Sequence, residues 1–168
     1  MKNIFTFSLF ALTAFLFFNP GTSEAYLSTA QSSTRLNQEY SLFTVTYRFG
    51  FLNRDTYLPV LAVRGLENGD PKPVVGYEIV TNDGLRVQHG TTAAIVLGNA
   101  QIRGNQYFLP AKKNGDFTLL VLYKHDANRS NIATQVTSLP FTFETNGGKT
   151  GTFLHESELK GYKTPTLQ

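Results

Sequence analysis

Cysteine is absent from the 168 residues. That excludes a disulfide framework, thiolate metal ligands, a lipid-modified N-terminal cysteine and a cysteine nucleophile together. Dense charge is lacking too. Charged residues are 16 % of the chain and the net charge is +3, with Lys and Arg spread thinly. Nucleic-acid binding needs a basic stripe interleaved with aromatics, and none is present. There is no G-x-S-x-G elbow, no H-E-x-x-H pair and no Gly-rich phosphate loop running from a strand into a helix, so no cofactor is expected. After the first segment no stretch has sustained helical periodicity; Phe153–Leu159 has room for one or two turns.

What is present begins with an address. Met-Lys-Asn precedes an apolar run from Ile4 to Phe18, interrupted only by Thr6, Ser8 and Thr13 and followed by Asn19-Pro20-Gly21 and Ser23-Glu24-Ala25. A short basic start, an apolar centre and a small-x-small site are the parts of a secretory signal peptide, with cleavage expected after Ala25. The alternative is an uncleaved anchor, although the run is shorter than the roughly 20 residues a spanning helix needs. No later stretch is apolar enough to span a membrane. Residues 26–168 keep 14 basic and 11 acidic groups, enough chain for one domain with its own core.

The domain reads as strands. In Ser41–Phe49, Phe43, Val45, Tyr47 and Phe49 alternate with Thr44, Thr46 and Arg48, the period-2 pattern of a strand with one wall buried. Tyr26–Asn37 reads as an edge strand or a frayed end. Tyr57–Leu66 is strand-like, with Pro59 expected at its start or on an edge. Val74–Thr81 and Leu85–His89 flank Asn82-Asp83-Gly84, a hairpin signal. Thr91–Leu97 and Gln106–Leu109 follow. Asp116–Lys124 is apolar on both faces, as a central strand is. Gln135–Thr145 carries Pro140 at mid-length, which fits a bulge or a change of partner. Phe117, Leu119, Val121 and Tyr123 are expected to oppose Phe43, Val45, Tyr47 and Phe49 across the core. Residues 26–145 therefore read as the sandwich, and 146–168 as a polar tail, weakly ordered or adding one strand near Thr152–His155.

Asn114-Gly115-Asp116-Phe117-Thr118-Leu119-Leu120-Val121 resembles the approach to the sixth strand of immunoglobulin-like domains, where a turn, an aromatic and a buried aliphatic follow in that rhythm. The likeness covers about ten residues. The family's disulfide and buried Trp have no counterpart, and Phe117 stands where many members carry the Tyr of the tyrosine corner. With that likeness the expected fold is all-β, an antiparallel immunoglobulin-like β-sandwich of about 7–9 strands behind a cleavable signal peptide.

The functional expectation is an exported non-enzymatic module, a binding or structural component of the cell envelope or surface. Its partner would be a protein or glycan, met through loops Leu66–Pro73 and Lys124–Ile132, because rigid scaffolds carry contacts on loops. Candidate contacts are Asn68, Asp70, His125, Asp126, Arg129 and Tyr162, the last in the polar tail between Lys160 and Lys163. Asp126-Ala127-Asn128-Arg129-Ser130 starts like a calcium loop, but Asn131 and Thr137 replace its Gly and Glu, so no metal is expected. Two alternatives stand beside this reading. One is a periplasmic or extracellular hydrolase using His125 with a neighbouring carboxylate. The other is strand exchange, with the Gly-rich junction at 146–151 handing the tail to a second copy.

Overall fold

The computed structural model describes residues 24–51, 53–67, 72–126 and 131–167. Its regular structure is nearly all strand: β1 (Glu24–Arg35), β2 (Tyr40–Phe51), β3 (Thr56–Pro59), β4 (Ala62–Arg64), β5 (Val75–Thr81), β6 (Thr91–Gly98), β7 (Gln101–Arg103), β8 (Gln106–Leu109), β9 (Gly115–Lys124), β10 (Ile132–Ser138), β11 (Pro140–Thr145) and β12 (Gly148–Phe153), then the one-turn helix α1 (Glu156–Leu159). They form three open sheets that do not close into a barrel, ordered β1-β2-β9-β6, β10-β5-β4 and β12-β11-β3-β8-β7. Pairing is antiparallel except between β4 and β5.

Twelve strands stand where 7–9 were expected: two long runs are split, and the short β7 and β12 are added. Tyr57–Leu66 ends one strand at Pro59 and starts another at Ala62 in a different sheet; the turn is held where the Val96 N–H donates to the Val60 carbonyl at 3.2 Å. Gln135–Thr145 divides at Leu139, and Pro140, which has no N–H for the ladder, opens the strand that changes sheets. The Asp83-Gly84 turn forms, with Gly84 at φ +87°. Its second arm pairs with β5 only around the Val80–Arg86 bridge, because β4 already occupies that edge of β5 from Val75 to Tyr77; the Arg64 guanidinium takes the carbonyls of Val87 and Gly90 instead.

The core starts from the inner face of the first sheet. Phe43, Val45, Tyr47, Phe49, Phe117, Leu119, Val121 and Tyr123 are all 0 % exposed. They do not oppose one another across the core, as expected from their alternation. β2 and β9 are hydrogen-bonded neighbours, so Phe43 lies beside Val121, Val45 beside Leu119 and Tyr47 beside Phe117 on one wall. Alternation reports which residues share a face and not which sheet a strand joins. The opposing wall comes from elsewhere: Phe141 meets Phe49 edge-on at 4.9 Å, Tyr107 meets Phe117 at 5.3 Å and Tyr162 meets Tyr47 at 5.9 Å. Tyr77, Ile79 and Val136 of the second sheet belong to the same cluster.

Tyr162 shows how the C-terminal segment is used. β12 pairs with β11, and α1 is closed by a capping box in which the Glu158 carboxylate accepts the His155 N–H at 2.6 Å. Residues 161–167 then run along β10. The Val136 N–H donates to the Tyr162 carbonyl at 3.0 Å, Thr164 N–H to Thr134 at 2.9 Å and Leu167 N–H to Ile132 at 2.7 Å. From the other side the Gln31 amide donates to the Gly161 carbonyl at 3.2 Å, and the Ser33 hydroxyl to that of Pro165. The segment is a strap between the edges of the first and second sheets.

Candidate functional site

Of the six candidate contacts, Asn68, Asp70 and Arg129 lie outside the described residues. Tyr162 is not a surface contact: its ring is 3 % exposed, and burial, then the charge of Glu158, pushes its phenol up to about 12. Polar neighbours in the sequence had suggested a solvated tail, but Leu154, Leu159, Tyr162 and Leu167 all turn inward.

His125 is buried as well, 7 % exposed, and it sits where β9 ends beside the start of β2. Its N–H donates to the Glu39 carbonyl at 2.7 Å, and its Nε2 lies 2.6 Å from the Ser41 hydroxyl. The Tyr123 ring stands edge-on to the imidazole at 4.8 Å and donates its own hydroxyl to the His89 carbonyl at 3.0 Å. Asp126 is exposed and turns away, its Oδ2 accepting the Gly90 N–H at 2.7 Å. The structure therefore brings His125 to Ser41, 84 residues away, and not to the adjacent carboxylate. No local motif marks Ser41, a serine at a strand start. A Ser–His hydrogen bond is half of a nucleophile–base pair, but Ser41 is 0 % exposed, with no path for a substrate to its oxygen. As built, the corner ties the β1–β2 turn to the end of β9.

A second polar cluster lies at a cleft of about 320 Å³ lined by Glu67, Arg86, Gln135, Thr137 and Lys160. Arg86 pairs with Glu67 at 2.7 Å, and the buried Glu78 is flanked by Arg64 at 3.6 Å and Arg86 at 4.0 Å. These charges answer one another, which is how buried ions are normally held. Among the described residues no group of three or more His, Asp or Glu can hold a metal ion.

The remaining feature is a surface. On the outward face of the first sheet Leu42, Leu122 and Ala93 form one cross-strand row, and Thr44, Leu120 and Ile95 the next. Leu97 continues β6 on the same side, and Ile95 and Leu97 are 48 % and 47 % exposed. Leu61, bridged to Ile95, is 52 % exposed. Further along, the face turns polar, with Thr46 bonded to Thr118 at 3.0 Å and Arg48 paired with Asp116 at 2.8 Å. The Arg48 guanidinium holds the Asp116 carboxyl below its usual range.

No family model, curated protein or solved structure matches the chain. The geometry alone must carry the reading. Among the described residues no helix is long and apolar enough to cross a membrane.

Proposed function

We propose that the chain is an exported, non-enzymatic β-sandwich of immunoglobulin-like kind that works by binding in the cell envelope or at the cell surface. The outward face of its first sheet docks a partner protein that presents an apolar strand face of its own. The observation that carries this is the pair of largely apolar rows at Leu42, Ala93, Ile95, Leu120 and Leu122, a patch exposed at Ala93 and Ile95, half-buried at the three leucines, and bordered by the polar Thr46–Thr118 row. Contiguous exposed apolar surface on a folded domain marks an interaction site, because leaving it in water is unfavourable. Export is supported by the three-part N-terminal pattern, and the sandwich by sheets that share one core.

The test is fractionation of the host cell with sizing of the complex that holds the chain. The proposal expects a mature chain beginning at Tyr26, held in an envelope complex that Ile95→Asp disperses. A chain that stays inside the cell, or a complex that Ile95→Asp leaves intact, refutes it. The second reading is a serine hydrolase, favoured by the 2.6 Å Ser41–His125 contact. Labelling by a fluorophosphonate that disappears in Ser41→Ala would establish it. The burial of Ser41 argues that no label attaches.

A further inference from the structure

The third sheet has an outward face of different character. Leu58, Tyr107 and Leu109 point into the core, so their neighbours Tyr57 and Phe108, which pair across β3 and β8, point out. Their rings meet at 5.3 Å. Two outward aromatics would ordinarily be well exposed, yet Tyr57 is 5 % exposed and Phe108 7 %. Two cations help cover them, one from each edge strand of the sheet. The Arg103 guanidinium, from β7, lies 3.4 Å above the Phe108 ring, and the Lys149 ammonium, from β12, lies 3.6 Å above Tyr57.

Charge is concentrated on the same sheet. Its strands and bordering loops carry Arg54, Arg103, Lys112, Lys113 and Lys149 against Asp55 and Glu144. That difference is +3, the net charge of the whole protein; every other basic group is matched in number by an acidic one. Both acids are engaged, Asp55 accepting the Ala111 N–H at 2.8 Å and Glu144 the Tyr57 hydroxyl at 2.6 Å. Two of the five, Arg103 and Lys149, are placed on the outward face, where Glu144 stands directly across the ladder from Lys149; Arg54 lies 4.5 Å over Phe143, a ring on the core side.

We propose that the outward face of the third sheet binds an acidic polysaccharide, with Tyr57 and Phe108 carrying a sugar ring and Arg103 and Lys149 pairing with its carboxylates. The C–H face of a pyranose is apolar and weakly positive, complementary to the negative face of an aromatic ring. A uronate adds one carboxylate per residue, which a planar guanidinium engages with two parallel hydrogen bonds. Arg103 and Lys149 are exposed side chains on edge strands, so leaving the rings requires only rotamer changes. Each exchanges a cation–π contact for a charge-assisted hydrogen bond, the stronger of the two. A polyuronate is favoured over a nucleic acid because an exported domain meets glycans first. In that respect the inference rests on export, but it does not depend on the protein-docking face.

The test is calorimetric titration of the mature domain with oligogalacturonate, neutral dextran and a single-stranded oligothymidylate. Oligogalacturonate is expected to bind with an affinity that falls as salt rises, dextran not at all, and oligothymidylate more weakly. The Arg103→Ala/Lys149→Ala pair should weaken oligogalacturonate binding by roughly tenfold or more. Arg48→Ala, on the first sheet, should leave it unchanged. Ile95→Asp should leave it unchanged as well, which separates this site from the protein-docking face. No binding of oligogalacturonate, equal binding of dextran, tighter binding of oligothymidylate, or an unaffected double variant would each overturn the proposal.

Discussion

Tyr162→Ala tests whether the C-terminal strap is part of the core. The ring is 3 % exposed and packs, tilted at 51°, against Tyr47, itself 0 % exposed, at the seam between the first and second sheets. Truncating a buried aromatic to Ala removes its transfer free energy and leaves a cavity, together about 3–5 kcal/mol. The backbone bonds of the strap, such as Val136 N–H to the Tyr162 carbonyl, need no side chain and remain possible. The loss therefore reports the ring. For a domain of this size each kcal/mol lowers Tm by roughly 3–4 °C, so the variant should melt about 10–20 °C below the parent. Tyr162→Phe is the control. It keeps the ring and deletes a buried hydroxyl that has no hydrogen-bond partner among the described residues, so it should stay within about 1 kcal/mol of the parent. Far-UV circular dichroism melts of the three proteins make the comparison. A Tyr162→Ala melt within about 3 °C of the parent would refute the reasoning, because the segment would then add less than about 1 kcal/mol.

Three further outcomes are expected. Val45→Asp, at a 0 % exposed position, should abolish the cooperative melt, whereas Thr46→Asp loses one bond to Thr118 and should cost only about 0.5–1.5 kcal/mol. Gly90→Ala should destabilise by about 2–4 kcal/mol, since φ is +85° and a Cβ would lie 2.4–2.6 Å from atoms of the Tyr123 ring. Stability should fall as pH rises above about 10, because Tyr47 and Tyr162 stay protonated in the folded state after the unfolded chain has begun to ionise. Burial is the main cause for both. The Tyr162 share of the loss runs from about 10 up to about 12, and urea titrations across that range should show Tyr162→Phe with a shallower decline.

The faces of the long strands were legible in the sequence. β2 and β9 alternate so regularly that their inner residues are all fully buried, and Gln106–Leu109 and the Asp83-Gly84 turn stand where they were expected. Sheet membership was not legible. Alternation is the same for a strand beside β2 and a strand across from it, so β9 was assigned to the wrong wall. The tail misled for a related reason. Gly161, Lys163 and Pro165 make it look solvated, while Tyr162 and Thr164 between them turn inward, as does Leu167, and such a short pattern needs β10 as its partner to be meaningful. The candidate surfaces were hardest to see. Leu42, Leu120 and Ile95 come from three strands spread over 79 residues, and their adjacency exists only in the register of β2, β9 and β6. Tyr57 and Phe108 are 51 residues apart and meet only through the β3–β8 ladder.

The central claim is that the protein works through outward sheet faces and that its buried Ser41–His125 corner is structural. One measurement separates the two: the size of the complex proposed to hold the chain, compared between Ile95→Asp and Ser41→Ala, with both variants first shown to be folded by circular dichroism. The account predicts that Ile95→Asp releases the chain to its free size while Ser41→Ala leaves the complex as large as the parent's. A complex that survives Ile95→Asp and is lost in Ser41→Ala would contradict it.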